Sequence, residues 1–391
     1  MVQQQKPYRL YKGGRVKGKV PAVPGKVRPQ PGRGSSNGGG PGLRRRVRRL
    51  VPGHIGWKPI LLIGLLVILV LTISWAVAGF LAFSSGVDAA NKRLPASARA
   101  ALTKSNGFLI SHGTTILLLG TDSSTAPGRS GDNHSDSIML FRTDPSRHQL
   151  SYLSIPRDLL VTIPGLGDQK INAAMQAGGP ALAIRTVAAF TGVPVNHVVI
   201  LNFDGFKSLI DAEGGITVNV PEQILSNRFD CPFATQAQCL QWKGWRFHPG
   251  VQHMTGEQAL IYSRIRENQL NPAENDLTRA ARQQAVTQAA TAKLTSFSTL
   301  LGLPFDGGSL MKPLATDLSA WQLIELGWVK FRASHTLYCR LGGDPATVGG
   351  SSVLIPSEDN RSVLAMWAGL SAPLPPTTTY GPGCRTGHPL Q

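Results

Sequence analysis

Acidic residues are missing from the first 56 positions. That segment holds 14 Lys or Arg and no Asp or Glu, so it supplies +14 of the formal net charge of +18. The remaining 335 residues carry 26 basic and 22 acidic side chains, a balance of +4. The basic character therefore belongs to a tail and not to a globule, and total charge gives no ground for a nucleic-acid binder. The tail also lacks apolar periodicity and is rich in Gly (12) and Pro (7). Such a segment buries too little surface to offset its ordering entropy and is expected to be disordered. It has no aromatic platform on which bases would stack. Anionic lipid headgroups suit its arginines better.

Several catalytic signatures are absent as well. There is no GxxxxGK[ST], no HExxH and no GxSxG, and no internal repeat. His112, His197, His248 and His253 are scattered and read as structural or surface residues. Cysteine is scarce, with four in 391 residues, and no CxxC spacing or His partner points to zinc. Disulfides in an oxidising compartment are the better reading. Four cysteines allow three pairings, and the sequence does not choose among them. Proximity favours Cys231–Cys239, which leaves Cys339–Cys384.

What is present begins with a long apolar run. Pro59 to Phe83 is 25 residues without a charge, shortly after Arg44, Arg45, Arg46, Arg48 and Arg49. At about 1.5 Å per residue it spans a hydrocarbon core of roughly 30 Å. A secretory leader has a shorter apolar region, typically about 7–15 residues. The positive flank is expected in the cytoplasm and the C-terminal bulk outside. The expected organisation is a disordered basic cytoplasmic tail (1–56), a transmembrane helix (57–84), a stalk (85–112), an extracytoplasmic domain (113–370) and a Pro, Thr and Gly-rich end (371–391).

Within that domain, TTILLLGTD, SIMLFRTD and LSYLSIPRD read as strands, the last two as a hairpin around DPSRHQ. Further strands are expected at 197–202, 216–220 and 335–341. Helices are expected at 178–191, 204–213, 275–297, 318–331 and 359–369. The fold class is α/β: a single domain with a central mixed β-sheet flanked by helices, behind one N-terminal transmembrane helix.

Charged residues gather at the ends of these elements. Asp122 closes the first strand, Asp136 enters the second, and Arg157 with Asp158 closes the third. Arg264 and Arg266 lie two apart in YSRIR, a spacing that puts both on one face of a strand. Asp276, Arg279, Arg282 and Gln283 open the long helix, with Arg279, Arg282, Gln283 and Val286 on one face of it. Arginine is unfavourable at a helix N-terminus, and a bound anion reverses that cost. The alternative for these arginines is pairing with Asp and Glu on a solvated face. Neighbouring carboxylates favour a site instead, because Mg²⁺ binds through one or two of them and bridges to substrate phosphates. A metal with arginines suits a pyrophosphate.

The ordered segments ILLLGTD, SDSIMLFRTD, LSYLSIPRD, INAA, FDGFKSLIDAEGGITVNVP, HMTGEQALIYSRIR and DLTRAARQQ resemble the LytR-CpsA-Psr family, from about Thr115 to Val286 and more weakly to about Leu370. The resemblance implies a phosphotransferase in cell-wall assembly. It would take a glycopolymer from a polyprenyl pyrophosphate carrier and join it to peptidoglycan through a phosphodiester, with carrier hydrolysis as a side activity. It implies Asp122 and Asp136 as metal-associated aspartates holding Mg²⁺ or Mn²⁺. It implies Arg157, Arg264, Arg266 and Arg279 as pyrophosphate-binding residues, with Arg282 and Gln283 in the matching RQQ segment. Asp276 is the implied residue that positions or deprotonates the acceptor. The polyprenyl tail calls for an apolar trough, expected along the strands and the helices at 178–191 and 204–213. His134 stands where the family often has Arg, with Arg129 nearby, which bears on donor preference. The competing reading is a membrane-anchored binding or regulatory protein without transfer. No nucleic-acid partner is expected; the expected partners are lipid-linked donor, peptidoglycan and membrane lipid.

Overall fold

A computed structural model describes residues 57–378 and 381–387, apart from 106, 122–134, 229–230, 234 and 273–275. The basic tail, Asp122, Arg129 and His134 lie outside the described residues. The chain divides into the units Met1–Ile60 and Leu61–Gln391. The first is described only at Trp57–Ile60, the opening turn of α1 (Trp57–Arg93). Among the described residues α1 is the one helix long and apolar enough to cross a membrane, with a mean hydropathy of 2.9 over its most apolar 18 residues. It continues past the expected end of the apolar run to Arg93.

After α2 (Ala96–Ala101) come β1 (Thr114–Thr121), β2 (Ser135–Asp144) and β3 (Gln149–Ile155), with β2 and β3 joined as the expected hairpin. A small hairpin, β4 (Leu160–Ile163) and β5 (Gly167–Lys170), precedes α3 (Ala173–Thr191). The chain then makes β6 (His197–Asn202), α4 (Phe203–Ala212) and β7 (Ile216–Val220). The cysteine-bearing insertion holds β8 (Ile224–Leu225), α5 (Gln236–Gln241) and β9 (Arg246–Phe247), stapled by Cys231–Cys239. Next come β10 (Gly250–Met254), α6 (Gly256–Arg264), α7 (Asp276–Leu294) and α8 (Phe297–Leu310). The chain closes with β11 (Leu314–Thr316), α9 (Ala320–Arg332), β12 (His335–Arg340), β13 (Gly343–Val348), β14 (Ser351–Pro356), α10 (Asn360–Trp367) and β15 (Gly383–Thr386).

Seven strands form one mixed sheet in the order β11-β6-β1-β2-β3-β12-β15. The β1–β6 and β3–β12 pairs are parallel and the other pairs antiparallel. Alternation along the strands sorts the core into two faces. Leu117, Leu119, Ile138, Leu140, Leu153 and Ile155 pack with α3 and α10. Met139, Leu150 and Tyr152 turn to the opposite face and pack with Val329 of α9. A second core joins α4, β7, α6 and α7 through Ile210, Val218, Ile261 and Val286. The sheet edge is closed by the disulfide Cys339–Cys384, whose residues face each other across β12 and β15.

One local reading differs from expectation, and one helix falls where none was assigned. YSRIR is not a strand: Thr255 and Gln258 make a reciprocal capping box that starts α6, and the helix runs through Arg264. Arg264 is its last residue, while Arg266 stands exposed in the loop beyond Ile265. The segment 297–310 is a helix despite Pro304 and three glycines. Packing supplies what propensity withholds.

Candidate active site

The site begins at an irregularity in the β1–β2 ladder. Gly120 pairs with Ser137 and Thr121 with Ser135, so Asp136 has no opposite residue and is the bulged position. A bulge re-aims the side chain it carries. The Asp136 carboxylate accepts a hydrogen bond from Arg157 Nη1, with which it forms an ion pair. Arg157 follows β3 in the Pro156–Asp158 turn, and its Nε lies 3.4 Å from Asp158. Asp158 is in turn held by Lys170 of β5 at 3.1 Å. The four charges thus run as a chain, Asp136–Arg157–Asp158–Lys170, across the ends of β2, β3 and β5.

Two cavities flank that chain. On one side is an apolar trough of about 270 Å³ between the sheet and helices α4, α6 and α7. Leu118, Met139, Val199 and Leu201 form its floor, and Phe206, Leu209, Val286 and Ala290 contribute walls. Its polar lining comes from Asp136, Ser137, Ser263, Arg264, Gln283, Thr287 and Thr291. Ser137 donates to Gln283 Oε1 at 3.3 Å, and Gln283 Nε2 donates to the Asp136 carbonyl at 3.5 Å. The Arg264 guanidinium lies 4.5 Å over the Phe203 ring, a stacking that presents its donors edge-on. On the other side is a polar cleft of about 470 Å³ whose lining includes Arg157, Asp158, Lys170 and Asn172, walled by β14.

The predicted site residues are therefore partly gathered. Asp136, Arg264 and Gln283 share the trough, and Arg157 reaches Asp136 from the cleft. Arg279 is buried on α7. Arg282 is buried too and donates to the Ile265 carbonyl and, at 3.2 Å, to Thr278, fastening α7 to the end of α6. Arg266 is not part of the trough lining. Asp276 is the first residue of α7, and Asp122 lies outside the described residues. The trough is walled by α4, as expected, but not by α3, because α3 packs on the opposite face of the sheet. Phe203, Ser137 and Lys170, the partner of Asp158, were not singled out from the sequence. The FDGF start of α4, which puts aromatics at i and i+3, is the signal that could have found Phe203.

Among the described residues no three His, Cys, Asp or Glu cluster as a metal site. Mg²⁺ needs less protein than that, since it keeps water and shares phosphate oxygens. The Asp136 carboxylate beside the trough fits such a role.

The LytR_cpsA_psr family model matches residues 81–358. Among curated proteins, the chain is 33% identical over 213 residues to a polyisoprenyl-teichoic acid–peptidoglycan teichoic acid transferase TagU of Bacillus mycoides, covering 54% of this chain and 62% of that protein. It is 35% identical over 192 residues to the TagU of Oceanobacillus iheyensis, covering 47% and 52%. The match thus spans between half and two thirds of the length of these curated relatives. Among solved structures, TagT bound to LIIa-WTA superposes with a TM-score of 0.54 at 25% identity, covering 68% of this chain and 94% of that one. A protein from Streptococcus agalactiae superposes at 0.55 with 26% identity, covering 68% and 91%.

Proposed function

Because the chain belongs to the LytR_cpsA_psr family, we propose that it transfers a glycopolymer from a polyprenyl pyrophosphate carrier to peptidoglycan. The observation that carries this reading is the placement of Asp136, Arg157 and Arg264 at the polar side of an apolar trough. A lipid pyrophosphate has that polarity, with an apolar chain on one side and a concentrated negative charge on the other. The names of the curated relatives support the same donor and acceptor classes.

Arg157 and Arg264 hold the pyrophosphate oxygens, since guanidinium forks match phosphate, and Arg279 and Arg266 add positive charge nearby. Arg282 and Gln283 set the position of α7, which walls the trough. An acceptor hydroxyl attacks the sugar-side phosphorus. The bond from that phosphorus to the bridging oxygen breaks, and polyprenyl monophosphate leaves. The hydroxyl proton passes to a carboxylate, for which Asp276 at the start of α7 is the candidate. Asp122 and Asp136 would hold Mg²⁺ or Mn²⁺. When bound, the ion neutralises charge on the transferring phosphoryl group. The polar cleft beyond Arg157 suits a hydroxyl-rich acceptor. Single-pass anchoring through α1, with the tail inside and the domain outside, places the site with the wall.

The test is incubation of the full chain with Mg²⁺, a polyprenyl pyrophosphate-linked sugar and peptidoglycan fragments. Release of polyprenyl monophosphate with phosphodiester formation is expected, and D136A and R157A should both abolish it. Tight donor binding without turnover would replace this reading with that of a binding protein. Release without an acceptor would reveal the pyrophosphatase side activity.

A further inference from the structure

The membrane helix is not bare where its apolar run ends. Gly79 and Phe83 both belong to the uncharged stretch 59–83, and both touch α8. A Cβ on Gly79 would stand 3.3 Å from the Pro304 ring, and one on Gly307 would stand 3.3 Å from the Phe83 backbone. Further along, Gly86 lies against Gly308, where a Cβ would come within 2.8 Å of the Gly308 Cα. Small residues let two helices approach closely inside a bilayer. Gly79 precedes Phe83 by four residues, about 6 Å along the axis. With Phe83 at the edge of the hydrocarbon, Pro304 would lie within the roughly 5–10 Å to which interfacial helices bury their apolar faces. The composition of α8 agrees, because Asp306 is its only charged residue. Phe305 is 83% exposed.

Helix α9 is tied at one end to α1 and at the other to the residue Thr295 ahead of α8. Near its start Asn91 donates to the Leu318 carbonyl at 3.2 Å, and near its end Lys330 donates to Thr295 at 2.7 Å, just before α8 begins. The outward face of α9 carries Trp321, Ile324, Trp328 and Phe331, spaced three, four and three residues apart. Trp328 is 53% exposed and Phe331 78% exposed. Arg332 follows them, also exposed. A row of aromatics ending in cations is poorly suited to water and well suited to a membrane–water boundary.

We propose that α8 and the outward face of α9 form a docking surface for the bilayer that α1 crosses. Phe305, Trp328 and Phe331 enter the headgroup region, and Arg332 meets anionic headgroups. Leu294, which ends the helix before α8, and Leu314, which opens the strand after it, both line the apolar trough. Docking therefore holds the trough wall at the bilayer, and a prenyl chain can pass from one to the other without crossing water. That consequence rests on the transfer reading, whereas the docking itself does not.

The test uses the full chain with W57F and W75F, which remove the indoles of the spanning helix. It is reconstituted in vesicles of equimolar phosphatidylcholine and phosphatidylglycerol with acyl chains brominated near the headgroup. Tryptophan emission should fall relative to unbrominated vesicles, and adding W328F should remove much of that fall. A second variant, F305S, alters an exposed side chain outside the Trp328–Phe331 ring contact and should weaken the bromine quenching while thermal unfolding is unchanged. Emission indifferent to bromine would overturn the proposal, whether acrylamide then reaches Trp328 or cross-linking shows a second copy covering the face. Bromine quenching in a chain that turns over no polyprenyl donor would uphold the docking and remove the transfer reading.

Discussion

Asp136 occupies a bulge of β2, and from there it accepts a hydrogen bond from Arg157 at the end of β3. In regular register its side chain would follow the alternation that buries its neighbours. The extra residue turns it instead toward the polar side of the trough. The pair divides an apolar cavity from a polar one.

Replacing Arg157 should separate binding from folding. R157A leaves Asp136 without this partner and, on the proposed reading, removes a fork from the pyrophosphate. Donor turnover should fall by roughly two orders of magnitude or more, on the scale of losing one charge-stabilising group. R157K should recover little, because an ammonium supplies no planar fork. Steady-state release of polyprenyl monophosphate reads both. Recovery to near wild-type rates in R157K would show that charge alone suffices.

The bulge itself can be tested at Gly120. A Cβ there would stand 3.0 Å from the Ser137 Cβ, so G120V should shift the local register and move Asp136. The strand should survive, since the β1–β6 pairing is on the other edge. Thermal unfolding is expected to change by about 1–3 kcal/mol, the range for overpacking, while turnover falls as in D136A. Wild-type turnover in a folded G120V chain would detach the bulge from the chemistry.

Much of this was legible in the sequence because the relevant signals are local. The alternation in SIMLFRTD and LSYLSIPRD placed a hairpin, and the Ala-rich segment after Asp276 placed α7. What escaped was set by tertiary contact or by competition between signals. YSRIR has strand-like spacing, yet the Thr255–Gln258 capping box upstream commits its first three residues to a helix, and the rest is loop. Residues 297–310 contain Pro304, Gly302, Gly307 and Gly308, which argue against a helix until α1 is there to pack on them. The gathering of Asp136 with Arg264 and Gln283 depends on a bulge and on the fold of α4 over the sheet. Neither has a sequence period.

The trough should measure chain length. Ala290 lines it on α7 and is 9% exposed, so A290F fills volume a prenyl chain would use. The KM for a long polyprenyl donor should rise roughly tenfold or more, on the scale of a few lost methylenes at about 0.8 kcal/mol each. A donor with a short prenyl chain should be affected far less. Equal effects on both donors would place the lipid elsewhere.

The two disulfides should contribute unequally. Cys339–Cys384 closes a separation of 45 residues and Cys231–Cys239 one of 8. Loop-closure entropy alone gives about 4 kcal/mol for the first and about 2.6 kcal/mol for the second. The first also fastens the edge strand β15, whereas the second lies in the insertion between β7 and β10. C339S/C384S should therefore lower the unfolding midpoint more than C231S/C239S, and turnover should survive the latter. The reverse order would show that the insertion contributes more to the cooperative fold than its position suggests.

Alkaline pH should loosen the sheet through its tyrosines. Tyr152 and Tyr338 stack with ring centroids 5.2 Å apart. Burial pushes the Tyr152 phenol up to about 12 and raises that of Tyr338 as well. An unfolded tyrosine titrates near 10, so the folded state holds its protons more tightly than the unfolded state. The associated stability is complete below about pH 10 and is lost as the pH rises through the folded value. For Tyr152 alone the shift corresponds to about 2–3 kcal/mol. Denaturation midpoints should therefore fall steeply between about pH 10 and 12, and Y152F should flatten that fall because phenylalanine has no proton to lose. The same slope in Y152F would assign the loss to other groups and show that the buried phenol stays protonated for reasons unconnected with folding.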